Sequence, residues 1–126
     1  MKPYLFFLFI ISLSFPYSCT QPQAKTALLT REVFLDSINK PNVQLADIRT
    51  PEEYATEGNF PKAKNIDFLA EDFYEQMEAN FDKSKPLYIH CKRGIKSHKS
   101  IKKLQQLGFR EIYELQGGYE NWQGEE

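Results

Sequence analysis

The chain has 126 residues, with 16 lysines and arginines against 17 aspartates and glutamates, for a formal net charge of −1. That length allows one domain, and so balanced a charge supplies no global field for nucleic acid or an acidic partner. Two cysteines far apart in sequence exclude a C-x-x-C redox pair and a cysteine metal cluster, so no metal and no cofactor are expected.

The N-terminus is a separate element. Lys2 is followed by the apolar run Tyr4 to Phe15, bounded by Pro3 and Pro16. About a dozen residues falls short of the roughly 20 that a bilayer span needs. It matches the apolar region of a secretory signal. The run ends Phe15-Pro16-Tyr17-Ser18-Cys19-Thr20, a small residue before a cysteine, and resembles a bacterial lipoprotein signal. The resemblance implies that residues 1–18 are removed and that Cys19 becomes the lipidated first residue. The protein would then be exported to the periplasm or cell envelope and held to a membrane by its N-terminal lipid. Cleavage and release as a soluble secreted protein, or an uncleaved anchor, are the alternatives. Thr20 to Leu29 carries Gln, Pro, Ala, Lys and Thr and reads as a flexible tether. The organisation is therefore a signal over 1–18, a tether over 19–28 and a folded domain over 29–126.

Within the domain, Thr30 is placed to cap a helix carrying Val33, Phe34, Leu35 and Ile38. Val43 to Ile48 is a short apolar strand. Thr50-Pro51-Glu52-Glu53 opens a helix, with Thr50 as N-cap, Pro51 at the first helical position and Glu53 completing a capping box. Gly58 stops that helix. Ala63 to Ile66 reads as a strand. Glu71 to Phe81 is an amphipathic helix with Phe73, Tyr74, Met77 and Phe81 on its apolar side. Leu87 to His90 is a buried strand. Ile95 to Leu107 is a helix expected to turn Ile95, Ile101, Leu104 and Leu107 inward, with Gly108 at its C-terminal end. Glu111 to Leu115 is a last strand, and Gly117-Gly118 turns into a short helix with Tyr119 and Trp122. Strands alternating with helices imply an α/β fold, a parallel central sheet flanked by helices on both faces. Ligands of such sheets sit beyond the carboxyl ends of the strands, where Arg49 and Cys91 both fall.

The chemistry concentrates at Cys91. The Leu87–His90 strand delivers this thiol into the loop Cys91-Lys92-Arg93-Gly94-Ile95-Lys96-Ser97, just before a helix. Unpaired N–H groups at a helix start favour negative charge, as do the cations Lys92, Arg93, Lys96 and Lys99, so the thiolate is favoured over the thiol. From Lys92 to Lys103 the chain has six Lys or Arg and no acid. Lys102 and Lys103 read as a solvated helix face. A buried structural cysteine is the plain alternative, disfavoured because four cations beside a core thiol are costly to bury. His90 alternates away from Cys91 along the strand and reads as structural. His98, in the helix, reads as a surface or packing residue.

Four motifs in register resemble a single-domain rhodanese, over about Leu29 to Gln123. They are Asp47-Ile48-Arg49-Thr50-Pro51-Glu52-Glu53-Tyr54, then Gly58-Asn59-Phe60-Pro61-Lys62-Ala63-Lys64-Asn65-Ile66, the loop Cys91 to Lys96, and Gly117-Gly118-Tyr119-Glu120-Asn121-Trp122. The resemblance implies a rhodanese-like fold and a sulfurtransferase. Sulfane sulfur would pass from thiosulfate or a persulfide donor, through a persulfide on Cys91, to an external thiol or cyanide. It implies that the loop amides from Lys92 to Ser97 cradle the persulfide, that Gly94 permits the tight loop, and that Lys92 and Arg93 set substrate choice. Asp47 and Arg49 correspond to a structural pair that supports the loop and does no chemistry. Lys96 stands where many relatives have arginine, keeping the charge without the bidentate fork. Asn59 and Lys62 stand where the family usually has histidine and glycine, with little functional effect expected. No heptads occur, and a monomer is expected.

Three other functions compete. A catalytically silent binding module usually lacks the cysteine. A cysteine phosphatase or arsenate reductase has a longer Cys-x5-Arg loop, and Ser97 takes the place of that arginine. A redox-sensing thiol is the third.

Overall fold

The computed structural model describes residues 23–123. The elements run β1 (Lys25–Leu29), α1 (Arg31–Ile38), β2 (Gln44–Asp47), α2 (Pro51–Thr56), β3 (Lys64–Asn65), α3 (Phe73–Asn80), β4 (Leu87–His90), α4 (Ile95–Gln106), β5 (Glu111–Leu115) and α5 (Gly118–Gln123). The strands form one sheet ordered β1-β5-β4-β2-β3, and every pairing is parallel.

Alternation along the strands builds a core on each face of the sheet. Ala46, Ile48, Leu87, Ile89, Cys91 and Ile112 point to one side, where Phe73 and Met77 of α3 and Leu104 of α4 cover them. Leu45 and Leu115 point to the other, against Phe34 and Ile38 of α1 and Tyr119 of α5, with Tyr54 of α2 alongside. Burying an apolar side chain of this size contributes about 1.5–3 kcal/mol. The two clusters therefore fix the sheet between helices, as the alternation of elements implied.

Local signals behave unequally. The capping box at α2 forms: the Glu53 N–H donates to Thr50 Oγ1 at 3.2 Å, and the Thr50 N–H donates to Glu53 Oε2 at 3.1 Å. Thr30 does take the N-cap position of α1, but its hydroxyl makes no capping hydrogen bond.

Two expectations need correction. Residues 25–28, read as tether, belong to β1, which pairs with β5 over five residues from Lys25↔Glu111 to Leu29↔Leu115. The folded unit thus starts before residue 29. Ile95, expected inward, is 58% exposed. The buried face of α4 runs through Ser97, Ser100 and Leu104. Ile95 precedes Ser97 by two residues, about 200° around a helix, and so lands on the opposite side. The signal segment and Cys19 lie outside the described residues.

Candidate active site

β4 ends at His90, and the chain breaks from the sheet at Cys91. The loop then closes within a few residues because Gly94, at φ +89°, turns it into the first residue of α4. The Gly94 N–H donates to Cys91 Sγ at 3.1 Å. The Ser97 hydroxyl donates to the Gly94 carbonyl at 3.1 Å and lies 3.7 Å from Sγ. Cys91 itself is only 2% exposed. The thiol is thus held at the base of its loop by a backbone donor, with the start of α4 directly above it.

A second segment locks the loop from outside. The Tyr119 N–H donates to the Cys91 carbonyl and the Glu120 N–H to the Lys92 carbonyl, each at 2.9 Å. This close approach demands Gly118. A Cβ there would stand 2.5 Å from the Lys92 carbonyl oxygen and 2.7 Å from the Arg93 nitrogen. The sequence marked Gly118 as part of a motif; its role as clearance for the loop became visible only in three dimensions.

Beneath the loop lies a buried polar group. Arg49 is fully buried and clasps Asp47, with Nε donating to both carboxylate oxygens at 3.0 and 3.1 Å and Nη2 donating to Oδ2 at 2.6 Å. Nη2 also donates to the Gly58 carbonyl at 2.8 Å. Burial works to lower the Arg49 pKa, but the hydrogen bonds and charge of Asp47 raise it above its ordinary value. The guanidinium carbon sits 3.9 Å from the Tyr119 ring centre. Asp47 and Arg49 do not line the cleft. They reach Cys91 indirectly, through Tyr119, whose N–H holds the Cys91 carbonyl. His90 also packs here, with its ring against Phe60 and Tyr119. Its Nε2 is 3.6 Å from Asp47 Oδ2. Burial pushes the His90 pKa down to about 4, against the pull of Asp47, so the ring is neutral at pH 7. It points away from the thiol, as the alternation along β4 implied. His98 is exposed, with Nδ1 3.3 Å from Glu114 Oε1.

Above the loop is a cavity of about 270 Å³ lined by Glu53, Cys91, Lys92, Arg93, Ile95, Lys96 and Lys99. All four cations named from the sequence are present, but they do not act as one cluster. Lys92 Nζ donates to Glu57 Oε1 at 2.9 Å and lies 4.0 Å from Glu53 Oε1. Its hydrogen bond to Glu57 raises the Lys92 pKa. Arg93 Nε is 3.6 Å from Glu120 Oε2. Among the described residues Lys96 and Lys99 have no ion pair. The reason is α2: Glu53 and Glu57 lie four residues apart, on one helical face, and that face meets Lys92. Sequence reading missed Glu53, Glu57 and Glu120 as counter-charges. Glu53 was already assigned to the capping box, and the other pairings cross between elements. Among the described residues no group of three metal-ligating side chains converges, and no helix is long and apolar enough to cross a membrane.

Comparison with known proteins bears on this arrangement. A family model described as the rhodanese-like domain matches residues 30–125. The uncharacterized protein YqhL of Bacillus subtilis is 32% identical over 120 residues, covering 95% of this chain and 89% of that one. Thiosulfate sulfurtransferase GlpE of Coxiella burnetii is 31% identical over 85 residues, 68% of this chain and 76% of that protein. Among solved structures, a rhodanese-like domain protein from Staphylococcus aureus matches with a TM-score of 0.65 at 27% identity, over 80% of this chain and 93% of that one.

Proposed function

The chain belongs to the rhodanese-like family, and we propose that it is a sulfurtransferase that carries sulfane sulfur as a persulfide on Cys91. The observation that carries this reading is the Gly94 N–H aimed at Cys91 Sγ from 3.1 Å at the base of a cation-lined cavity. A backbone donor on sulfur stabilises negative charge there without reorganisation. The start of α4 adds further N–H groups that have no partner within the helix.

The reaction divides into two displacements. The Cys91 thiolate attacks the outer sulfur of the donor. With thiosulfate, the donor S–S bond breaks, sulfite leaves with the bonding pair, and Cys91 holds a persulfide anion. With an organic persulfide, R–S–SH, the leaving group is the thiolate R–S⁻ and Cys91 holds the protonated persulfide. An acceptor thiolate or cyanide then attacks the outer sulfur, and Cys91 departs as thiolate. Each displacement balances without an added oxidant or reductant. In this scheme Lys92 to Ser97 form the binding loop, and Asp47 and Arg49 position it through Tyr119. An external acceptor is required because Cys91 is the one free cysteine among the described residues.

The test is mass spectrometry of the purified protein after exposure to thiosulfate or an organic persulfide, with Cys91→Ser as the control. A gain of one sulfur atom, confined to Cys91 and removed by a thiol or by cyanide, is the expected result. A folded wild-type protein that gains no sulfur from either donor class would sink the assignment. We also propose that Cys19 is lipidated and holds the domain at the cell envelope; the support is the signal-like segment ending at Ser18-Cys19.

A further inference from the structure

We infer that Lys99, with Lys96 beside it, selects an amino-acid-type organic persulfide, a donor whose carboxylate is set apart from its sulfane sulfur, in preference to thiosulfate. This rests on the sulfur-transfer reading above and names the substrate class of that same cavity.

The argument starts from how the four cations are divided. Lys92 is held by Glu57 and Glu53, and Arg93 faces Glu120. Lys96 and Lys99 line the same cavity with no ion pair among the described residues. Anion recognition therefore falls to the pair on α4. Three residues apart, they share a helix face, and Lys99 stands about 4.5 Å further along the axis than Lys96. The positive wall thus runs from the loop that holds Cys91 along the side of α4.

Thiosulfate uses such a wall poorly. Its oxygens are all bonded to the atom that carries the sulfane sulfur. An ion that presents its outer sulfur to Cys91 Sγ keeps its whole charge on the oxygens of the adjoining atom and has no separate charged group to offer Lys99. A donor with carbon atoms between its sulfur and its carboxylate can present sulfur to Cys91 and charge to Lys99. The volume agrees: about 270 Å³ approaches the roughly 300 Å³ at which pockets begin to take drug-sized ligands, far more than a tetrahedral oxyanion fills. Ile95 agrees as well. It lines the cavity while 58% exposed, an apolar surface that suits methylene groups and offers nothing to an inorganic ion. Glu53 also lines the cavity. One of its oxygens accepts the Thr50 N–H. Its other oxygen stands 4.0 Å from Lys92 Nζ, and a carboxylate lining the same cavity as Lys96 and Lys99 offers the ammonium of an amino-acid donor a partner while the lysines take its carboxylate.

The test compares three donors, cysteine persulfide, 2-hydroxyethyl persulfide (which has neither carboxylate nor ammonium) and thiosulfate, by the rate at which sulfur loads onto Cys91. The wild type should prefer cysteine persulfide to both others. In Lys99→Met the ratio of kcat/KM for cysteine persulfide over 2-hydroxyethyl persulfide should fall about tenfold, the loss expected for one hydrogen bond to a charged group. The change should sit mainly in KM, and Lys99→Arg should retain the preference. An unchanged ratio in Lys99→Met, or a wild type that prefers thiosulfate, overturns the inference while leaving sulfur transfer standing. Failure of all three donors to load Cys91 overturns both.

Discussion

The sharpest structural prediction concerns Gly118, which touches no substrate. Its Cα lies so close to the catalytic loop that an added Cβ would stand 2.5 Å from the Lys92 carbonyl oxygen and 2.6 Å from its carbon. Ordinary contact begins near 3.5 Å, so roughly 1 Å of backbone movement is required. Overpacking of that kind costs about 1–3 kcal/mol. Gly118 also sits at φ +68°, where a residue with a Cβ adds about 1–2 kcal/mol of strain. Gly118→Ala should therefore lose about 2–5 kcal/mol, a large share of a total stability of about 5–15 kcal/mol. Gly94→Ala supplies the contrast. Its backbone is as strained, at φ +89°, but its Cβ would meet nothing closer than 3.8 Å. It should lose the strain alone, about 1–2 kcal/mol. Urea unfolding of both variants measures the difference. Sulfur loading reports the displaced loop, because a shift of about 1 Å in a positioned group can cost about a hundredfold in rate. Equal stability of the two variants, with sulfur transfer intact in Gly118→Ala, would refute the claim that α5 clamps the loop.

Three further outcomes follow from particular residues. His90 is neutral in the folded state, with a pKa lowered to about 4 from 6.5; below pH 6.5 the unfolded chain gains a proton that the folded chain refuses, so stability should fall between pH 6.5 and 4 by roughly 3 kcal/mol. Urea midpoints across that range should fall less steeply in His90→Asn than in the wild type. Lys62 is exposed and holds φ +68°, so Lys62→Gly should stabilise by roughly 0.5–1 kcal/mol, the relief of about 1–2 kcal/mol of strain less about 0.5–1 for glycine's unfolded-state entropy. A lower urea midpoint in that variant would contradict the strain. Cell fractionation of Cys19→Ala should move the protein from the membrane to the soluble fraction; equal partitioning of variant and wild type would remove the lipid anchor.

How much of this could be read from the sequence depended on how local each cause is. Thr50, Pro51 and Glu53 settle the start of α2 among themselves, so that helix was legible to the residue. The apolar run Leu87–Ile89 followed by a cysteine and Gly94 likewise announced the strand, the loop and the helix start. β1 was not legible because little in Lys25–Leu29 is buried. It is held by backbone pairing with β5, a partner more than eighty residues away, and leaves no hydrophobic alternation behind. The division of the cations was hidden for a related reason. Lys92 meets Glu57 across 35 positions, and a charge counted along the chain does not show which carboxylate will face it. Ile95 failed differently: an apolar residue at a helix start suggests burial, but the buried face of α4 runs through Ser97, Ser100 and Leu104, and Ile95 lies on the other side.

The parallel sheet gives the molecule a direction, and that direction orders its two candidate functional features. All five strands run the same way, so Lys25, Gln44, Leu87 and Glu111 lie at one edge of the sheet and Leu29, Asp47, His90 and Leu115 at the other. Cys91 and its cavity belong to the second edge. The chain enters at the first edge, because β1 begins at Lys25. Between Cys19 and Lys25 stand only five residues, which together span at most about 20 Å even when fully extended. A lipid on Cys19 would therefore hold the sheet's entry edge near the membrane and turn the cavity outward. Pairing of residues 25–29 with β5 matters for this geometry: as a free tether they would have roughly doubled the reach and left the orientation open. The donor and acceptor would then approach from the aqueous side. A cavity turned away from lipid, with Lys96 and Lys99 on its wall and no ion pair to either among the described residues, suits that approach better than a site pressed against the membrane.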